Sequence, residues 1–346
     1  MIFWGYMKKT SKIAVIGAGN WGTALASLLA EKCEKLSLWA YEPEVVEGIC
    51  SKQRNPLFLP DLHLPFHVFA TNDIAEALHE AKYVVSVVPS KALSSVWKRA
   101  ADFLEAESIL VSCTKGLEPN GFKLMSQVLD EVLPKHPQER RLVLSGPSFA
   151  AEVAAGLPTS VVIAGEDERI CAEAQELFRT ARFLPFTSSD VLGVQIGGAL
   201  KNVVAIAAGL CDGLQLGCNA RAALITRGLY EMMKVGEVFG AKRHTFSGLS
   251  GIGDLFLTAS DTKSRNFSVG KVLAEGKSVK DILQSGHMIA EGIETAHAVR
   301  LFAQANNLHL PICESVSKIL KGEQSPQETL EYLTSLELKE EMSIYA

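Results

Sequence analysis

A glycine-rich turn near the start of the chain constrains the fold more than any other feature. Residues 12–22, KIAVIGAGNWG, join a β-branched apolar run to Gly17, Gly19 and Gly22, and a helix-like segment follows. In this context Gly17 allows a tight turn, Gly19 lets the backbone approach a pyrophosphate, and Gly22 lets the helix pack on the strand. The pattern predicts a dinucleotide site; a glycine-rich turn without a ligand is the alternative.

Strand-like and helix-like segments alternate as far as about residue 190. The apolar runs that follow the glycine turn are 36–40, 67–70, 83–89, 109–113, 142–146 and 160–165. Such alternation is typical of a parallel, doubly wound sheet with helices on both faces. After Asp190 long apolar helical segments replace the strands. The predicted fold class is α/β, with a Rossmann-like dinucleotide-binding domain over residues 7–190 and an all-helical, substrate-binding domain over residues 191–335.

A single lysine interrupts the most apolar stretch of the chain. Residues 191–211 contain Lys201 as their only charged side chain, with Asn202 beside it. The length suits a membrane span, but several glycines and a central lysine, which costs about 2.5 to 3.5 kcal/mol in lipid, oppose insertion. We predict a helix that is buried on most sides. Its lysine either reaches the surface along its own stem or is a desolvated proton-transfer group with a lowered pKa.

Composition excludes several classes of function. Hydrophobic residues make up 47% and charged residues 21% of the 346 residues, and the net charge is -5. These values are usual for a soluble globular protein and give no basic excess for nucleic acid. The 7 cysteines form no CxxC pair and have no histidines at zinc-ligand spacing, which indicates a reducing cytosol and no metal site. No export signal is visible, so we expect a cytoplasmic protein whose translation starts at Met1 or Met7.

Polar residues follow several predicted strands, where doubly wound sheets bind ligands. Glu42 favours NAD if its carboxylate faces the ribose; otherwise it is a solvated charge before the next helix. Lys115 and Ser148 follow later strands and together predict a wall for an anionic substrate. Further along, Ser264-Arg265-Asn266 precedes a helix-like segment, and such an end suits phosphate. A helix cap with a surface arginine is the alternative there.

A series of motifs carries a specific resemblance. The motifs are GAGNWGTA (17–24), VVPS (87–90), TKGLE (114–118), SGPSFA (145–150), KNV (201–203), NAR (219–221), GIGDL (251–255) and SRN (264–266). Their order and spacing, from about residue 12 to about residue 330, resemble the NAD(P)-dependent sn-glycerol-3-phosphate dehydrogenases of the bacterial type. The SGPSFA, KN and SRN motifs are far more diagnostic than the glycine turn.

The resemblance implies interconversion of sn-glycerol 3-phosphate and dihydroxyacetone phosphate with NADPH or NADH, in the direction that supplies glycerophospholipid synthesis. It implies three catalytic residues. Lys201 exchanges the proton with the substrate, Asp254 orients Lys201, and Lys115 is a second active-site lysine. The implied substrate-binding residues are Lys115, Gly146, Ser148, Lys201, Asn202, Asp254, Ser264, Arg265 and Asn266, with Arg265 and Asn266 on the phosphate.

The cofactor-binding set combines the glycine turn with the resemblance. Its members are Gly17, Gly19, Asn20, Trp21, Gly22, Tyr41, Lys115, Ala150, Arg265, Ile289 and Glu291. Members of the family usually have arginine or histidine at the position of Tyr41, so no contact with a 2′-phosphate is carried over there. A tyrosine at that position could stack on the adenine, and the preference between NADPH and NADH stays open.

Two other functions are compatible with these patterns. Two-domain dehydrogenases that act on 3-hydroxy acids or 6-phosphogluconate share the architecture, but they do not require the phosphate-binding SRN motif at this place. A non-catalytic NAD(P)-sensing protein would keep the fold, yet it gains nothing from a lysine in an apolar helix. The expected partner is a small phosphate substrate, with no nucleic acid and no membrane insertion. The apolar helices of the second domain leave a homodimer open.

Overall fold

The structure is a computed structural model that describes residues 9–118, 122–284 and 291–335. Its internal contacts divide the chain into two compact units. The first unit holds the described residues up to Thr114 together with Met125–Val191, and the second holds the described residues between Lys115 and Leu124 and those from Leu192 onward. The domain limits proposed from the sequence, 7–190 and 191–335, stay a prediction. The contacts add that Lys115–Leu124 belongs with the helical residues.

A central sheet organises the first unit. In the described part of the chain its eight strands are β1 (Thr10–Ile16), β2 (Cys33–Trp39), β3 (Val68–Thr71), β4 (Tyr83–Ser86), β5 (Ile109–Ser112), β6 (Arg141–Ser145), β7 (Thr159–Ala164) and β8 (Phe183–Ser188). Their order is β3-β2-β1-β4-β5-β6-β7-β8. The chain reverses its direction of winding between β1 and β4, which is where doubly wound sheets bind ligands. The predicted fold class is confirmed.

Helices cover the sheet on both faces. In the first unit they are α1 (Asn20–Ala30), α2 (Pro43–Lys52), α3 (Ile74–Leu78), α4 (Ser90–Ala100), α5 (Met125–Val132), α6 (Ala150–Ala154) and α7 (Glu168–Phe178), with short 3-10 helices at Ala101–Phe103 and Gln138–Arg140. Successive side chains of a strand point to opposite faces. Ile13 and Val15 of β1 therefore join one hydrophobic core, and Ala14 and Ile16 join the other. Burial on both faces explains why the strands are continuously apolar.

Two features of the sheet differ from the prediction of a parallel sheet. β7 runs antiparallel to β6. A parallel connection needs a crossover long enough to return along the sheet, and the helix between these strands, α6, has only 5 residues. The strand β8 was also not predicted, because Pro185 lies inside its apolar run. The proline is tolerated because β8 is at the edge of the sheet.

Helices and their connections make up all described residues from Leu192 onward, which confirms that the second part of the fold is helical. The helices are α8 (Val191–Gly213), α9 (Gly217–Val238), α10 (Asp254–Ser260), α11 (Arg265–Ala274), α12 (Val279–Gln284), α13 (Glu291–Ala305), α14 (Pro311–Leu320) and α15 (Pro326–Ser335). A 3-10 helix at Arg243–Ser247 and a π-helical turn at Leu249–Gly253 lead into α10.

The α8 helix forms the core of the second unit. Among the described helices it is the one that is long and apolar enough to cross a membrane, yet 89% of its most apolar window is buried inside the protein. Every residue from Gly193 to Cys211 is buried, and Lys201 is only 6% exposed. A helix buried on most sides is therefore confirmed. The alternative of a lysine that reaches the surface along its own stem is wrong.

Candidate active site

The buried lysine of α8 has fixed partners on α10. Lys201 Nζ donates to Oδ1 of Asp254 at 2.5 Å and to Oγ1 of Thr258 at 2.9 Å. Thr258 donates its own hydroxyl to the carbonyl oxygen of Asp254 at 2.6 Å. Because that hydrogen is committed, the hydroxyl oxygen can only accept from Lys201. Two of the three outward directions around Nζ are thereby fixed.

A second lysine reaches the other oxygen of the same carboxylate. Lys115 Nζ lies 2.8 Å from Oδ2 of Asp254, and the Asp254 side chain is only 1% exposed. A carboxylate buried this deeply requires cationic or hydrogen-bonding partners, because its desolvation is costly. Asp254 is also the first residue of α10, where the dipole of a helix favours negative charge. The structure thus brings together all three residues predicted to be catalytic.

Burial changes the proton affinity of Lys201. The pKa of its ammonium is lowered from 10.5 to about 8, chiefly by desolvation and also by the positive charge of Lys115. The charge of Asp254 opposes this change. A lysine that titrates close to neutral pH can both donate and accept a proton during turnover. The environment of Lys201 therefore suits general acid and base chemistry.

A close backbone contact brings Lys201 near Asp254. Gly197 lies one turn before Lys201 on α8, and Ser250 lies in the π-helical turn before Asp254. A Cβ atom on Gly197 would be 2.3 Å from the carbonyl oxygen of Ser250. Any larger residue at position 197 would push the two elements apart, because a backbone carbonyl cannot move aside as a flexible side chain can. Glycine at this position therefore controls the separation of the two charged groups.

Two asparagines join three helices beside Lys201. Nδ2 of Asn266 donates to Oδ1 of Asn202 at 2.9 Å, and Oδ1 of Asn266 accepts the backbone N–H of Gly292 at 3.0 Å. Ser264 caps α11, since its Oγ accepts the N–H of Phe267 at 3.2 Å. The helix cap considered in the sequence analysis is therefore present. These bonds fix the starts of α11 and α13 against α8.

Positive charge predominates in the electrostatic surroundings of Lys201. Arg265 is exposed in the first turn of α11. Burial raises the pKa of Glu291, at the start of α13, and the charges of Arg265, Lys115 and Lys201 oppose that rise. Three cations and the carboxyl groups of Asp254 and Glu291 thus share one region of the second unit. Such an excess suits an anionic ligand such as a phosphate.

The three glycines of the turn in the first unit differ in whether the fold itself requires glycine. Gly17 has a φ of +114°, and a Cβ there would be 2.8 Å from the carbonyl oxygen of Val87. A Cβ on Gly22 would be 1.8 Å from the carbonyl oxygen of Gly17, whereas a Cβ on Gly19 would have nothing within 4 Å. The fold itself therefore requires Gly17 and Gly22. The open space at Gly19 fits an external ligand.

The start of α1 fits an anion in the same way. Among the described residues, no side chain caps this helix. Its first N–H groups, which include those of Asn20 and Trp21, are thus available for a phosphate at the positive end of the helix dipole. Ala150 begins α6, which packs against α1.

Three other predicted residues follow strands of the same sheet. Tyr41 comes after β2 and is 76% exposed. Gly146 and Ser148 come after β6, and the Ser148 hydroxyl donates to the carbonyl oxygen of Gly146 at 3.0 Å. The remaining predicted cofactor residue, Ile289, lies outside the described residues.

Comparison with known proteins assigns the family. Residues 12–171 match the N-terminal part and residues 190–331 the C-terminal part of the family described as NAD-dependent glycerol-3-phosphate dehydrogenase. The chain belongs to this family. The resemblance identified from the sequence motifs is confirmed.

Individual relatives agree with this assignment. A glycerol-3-phosphate dehydrogenase [NAD(P)+] of Citrifermentans bemidjiense is 44% identical, over 95% of this chain and 98% of the relative. One of Nitratidesulfovibrio vulgaris is 45% identical, over 95% and 100%. The crystal structure of glycerol-3-phosphate dehydrogenase from Coxiella burnetii matches with a TM-score of 0.89 at 38% identity, over 94% of this chain and 99% of that chain.

In this glycerol-3-phosphate dehydrogenase family member, sequence reasoning missed two polar residues at the sites. Thr258 contacts Lys201 directly, and its position four residues after Asp254 on α10 was an available signal, because such residues share a helix face. Asn55 is fully buried, and its Nδ2 donates to the carbonyl oxygen of Ala18 at 2.8 Å and to Oγ1 of Thr23 at 2.8 Å. It holds the peptide group that joins Ala18 to Gly19. An asparagine before a proline is an ordinary turn residue, so no sequence signal indicated this role.

Alanine at two positions of the glycine turn should separate folding from cofactor binding. In Gly22→Ala the new methyl group collides with the backbone of Gly17, so we expect a loss of stability of at least about 1 to 3 kcal/mol. Gly19→Ala should leave the ligand-free melting temperature unchanged and weaken NADPH and NADH binding at least about tenfold, since its methyl group fills the space left for phosphate. Thermal denaturation without ligand and fluorescence titration measure the two effects. Unchanged cofactor affinity in Gly19→Ala would contradict the placement of the cofactor phosphate at Gly19.

Proposed function

We propose that this protein interconverts sn-glycerol 3-phosphate and dihydroxyacetone phosphate, with NADPH or NADH as cofactor. The observation that carries the proposal is the buried amine of Lys201, held by Asp254 and Thr258 in a region of positive charge. Relatives of about the same length that are named glycerol-3-phosphate dehydrogenase [NAD(P)+] support the choice of substrate. Reduction of dihydroxyacetone phosphate, which supplies the glycerol backbone of phospholipids, is the proposed biological direction.

Lys201 exchanges the proton. During reduction its ammonium directs the third N–H at the carbonyl oxygen of the substrate, stabilises the developing alkoxide and transfers the proton to it. During oxidation the neutral amine keeps its two N–H bonds on Asp254 and Thr258. Its lone pair then occupies the third direction and accepts the proton of the C2 hydroxyl. The same two acceptors therefore orient the side chain for both directions of the reaction.

The glycine turn is the proposed binding site for the dinucleotide. When bound, the reduced nicotinamide supplies the hydride that reduces the carbonyl carbon. The open space at Gly19 and the uncapped start of α1 fit the pyrophosphate. The exposed ring of Tyr41 offers a stacking surface for the adenine. By family resemblance the proposed cofactor-binding set also includes Gly17, Asn20, Trp21, Gly22 and Ala150 in the first unit. Its other members are Lys115, Arg265, Ile289 and Glu291.

The first turn of α11 is the proposed site for the substrate phosphate. Arg265 is exposed there and offers a planar fork of N–H donors at the positive end of the helix. The Ser264 hydroxyl accepts a hydrogen bond in the cap, so its hydrogen can be donated to the ligand. The Asn266 amide donates one hydrogen to Asn202, so its second hydrogen can be donated to the ligand. By family resemblance the proposed substrate contacts also include Lys115, Gly146, Ser148, Lys201, Asn202 and Asp254.

A cytoplasmic location, no membrane insertion and a homodimeric assembly complete the proposal. The burial of α8 supports a protein that does not insert this helix in a membrane. All 7 cysteines are free thiols, as in a reducing compartment. The homodimer rests on the apolar helices of the second unit.

A spectrophotometric assay of NADPH and NADH oxidation tests the proposed reaction. Turnover with dihydroxyacetone phosphate, and not with oxidised 3-hydroxy acids or the product of 6-phosphogluconate oxidation, is the expected result. Turnover with one of the comparison substrates instead would assign the protein to a related dehydrogenase. Binding of cofactor without turnover would identify a sensor.

Replacing Lys201 should abolish chemistry and leave cofactor binding intact. Lys201→Ala removes the proton donor, so we expect kcat to fall by about 10²- to 10⁴-fold. Lys115 still pairs with Asp254 in this variant, so the carboxylate is not left alone. Steady-state kinetics and NADPH titration measure the two properties. Activity equal to that of the parent would exclude Lys201 as the proton-transfer group.

The two directions of the reaction should respond oppositely to pH. Because Lys201 has a pKa lowered to about 8, kcat/KM for reduction should decline above about pH 8, where the ammonium is lost. For oxidation, kcat/KM should rise through the same range, where the neutral amine forms. Asp254→Asn removes a charge that raises the pKa of Lys201, so both limbs should move to lower pH in that variant. If the pH profiles of Asp254→Asn do not shift, a group other than Lys201 is responsible for the pH dependence.

Arg265→Ala should chiefly raise the KM for the phosphate substrate. If the guanidinium grips phosphate equally in the ground and transition states, its loss weakens binding with little change in kcat. We expect an increase of at least about tenfold, the value for a lost charged hydrogen bond of about 1.5 to 3 kcal/mol. Lys271→Ala is the matched control, because it removes a cation that pairs with Asp212 at the other end of α11. Equal KM values in the two variants would contradict the phosphate assignment.

A further inference from the structure

Lys115 lies in a segment that closes on itself. It follows β5 by three positions, and a place at the end of a sheet strand was expected for it. The described residues 115–118 and 122–124, here called the Lys115 segment, instead belong to the helical unit. Leu117 and Leu124 form an antiparallel bridge, and the N–H of Glu118 donates to the carbonyl oxygen of Lys123 at 2.9 Å. The position of Lys115 therefore depends on what fastens this closed segment to the helices.

Apolar contacts fasten the segment at its two paired residues. Leu117 is 3% exposed and Leu124 is fully buried, and both lie in the hydrophobic core of the second unit. These contacts are non-directional, so they attach the segment without determining its orientation. A contact between flat rings has a defined geometry and can orient the segment as well as attach it.

An aromatic stack provides that geometry. The ring of Phe122 lies on the ring of Phe302 from α13, with centroids 4.0 Å apart and planes inclined by 14°. Phe239, directly after α9, lies 5.0 Å from Phe302 and 5.9 Å from Phe122. The Lys115 segment is thus attached to residues of two helical regions through rings whose orientation is defined.

The backbone of Phe122 indicates that the ring has a specific role. Its φ is 56°, in the left-handed region that is unfavourable for a residue with a Cβ. Glycine would adopt this conformation more easily. The phenylalanine is therefore not explained by the turn, whereas its stack on Phe302 and Phe239 does explain it.

We propose that Phe122 is a positioning residue for Lys115, whose ammonium it keeps 2.8 Å from Asp254 by stacking on Phe302 and Phe239. The inference rests on the proposed function, in which Lys115 contacts substrate and cofactor. Without the ring, the Lys115 segment keeps its apolar attachment but loses its orientation. Lys115 then leaves Asp254, and its side chain, 18% exposed in the structure, becomes accessible.

Loss of Lys115 from this position has an electrostatic consequence at Lys201. The charge of Lys115 lowers the pKa of Lys201. When Lys115 moves away, this pKa rises, and the alkaline limb of the reduction profile moves to higher pH. A general loss of stability does not produce such a shift.

Two substitutions at position 122 separate the ring from the backbone. Phe122→Gly removes the ring and favours the observed φ, whereas Phe122→Tyr keeps the ring. We expect kcat/KM for dihydroxyacetone phosphate to fall at least about tenfold in the glycine variant and to stay near the parent value in the tyrosine variant. Trace labelling with an amine-reactive anhydride, read by mass spectrometry, should show faster modification of Lys115 in the glycine variant alone.

Val316→Ala is the matched control for stability. Val316 is buried in α14 within the same core, so its truncation lowers the melting temperature while all three rings of the stack are kept. We expect parent-like labelling of Lys115 and a parent-like pH profile in this variant. The same labelling increase in Val316→Ala as in Phe122→Gly would overturn the proposal, because the effect would then follow from stability.

A double-mutant cycle shows whether Phe122 acts through Lys115. In a Lys115→Ala background, adding Phe122→Gly should reduce kcat/KM by less than about twofold, because the group that it positions is already absent. Full additivity of the two losses, or unchanged labelling of Lys115 in Phe122→Gly, would overturn the proposal. If the parent does not turn over dihydroxyacetone phosphate, the proposed function fails, whereas the labelling still tests the positioning of Lys115.

Discussion

The structure depends on the burial of an ammonium group and a carboxylate together, away from water. Moving two charges into a protein interior is costly, and their attraction compensates only when the geometry is good and the remaining hydrogen bonds are made. Lys201 and Asp254 meet this condition through Thr258 and Lys115. The incomplete compensation leaves Lys201 with a lowered pKa. The energetic cost of the buried pair is thus directly related to its suitability for proton transfer.

Several residues around the proposed sites hold the structure in place and are distinct from those proposed to contact ligands. Gly17 and Gly22 are required by the turn itself, whereas Gly19 has free space above it. Asn55 holds the peptide of that turn from a distant segment. At the other site, the capping by Ser264 fixes the helix start on which the exposed guanidinium of Arg265 is presented. Precise placement of ligand-binding groups therefore relies on neighbours that are themselves buried and hydrogen-bonded.

The residues with proposed functions are divided between the two compact units. The helical unit contains the groups proposed for proton transfer, which are Lys201, Asp254, Thr258 and Lys115. The glycine turn lies in the unit built on the sheet. Lys115 reaches the helical unit only because its segment leaves the sheet after β5 and packs among helices through Leu117 and Phe122. The assembly of the proton-transfer group is thus a property of one unit.

Local sequence patterns determined the fold class, the glycine turn and the burial of the helix that carries Lys201, because strand and helix periodicity is expressed by neighbouring residues. The motifs also determined the family. Only the tertiary structure decided which groups Lys201 meets, since Asp254 and Thr258 are 53 and 57 positions away. It likewise decided the antiparallel entry of β7, the role of Asn55 and the transfer of Lys115 to the helical unit. Such contacts depend on how distant segments pack, which no local pattern in a single chain records.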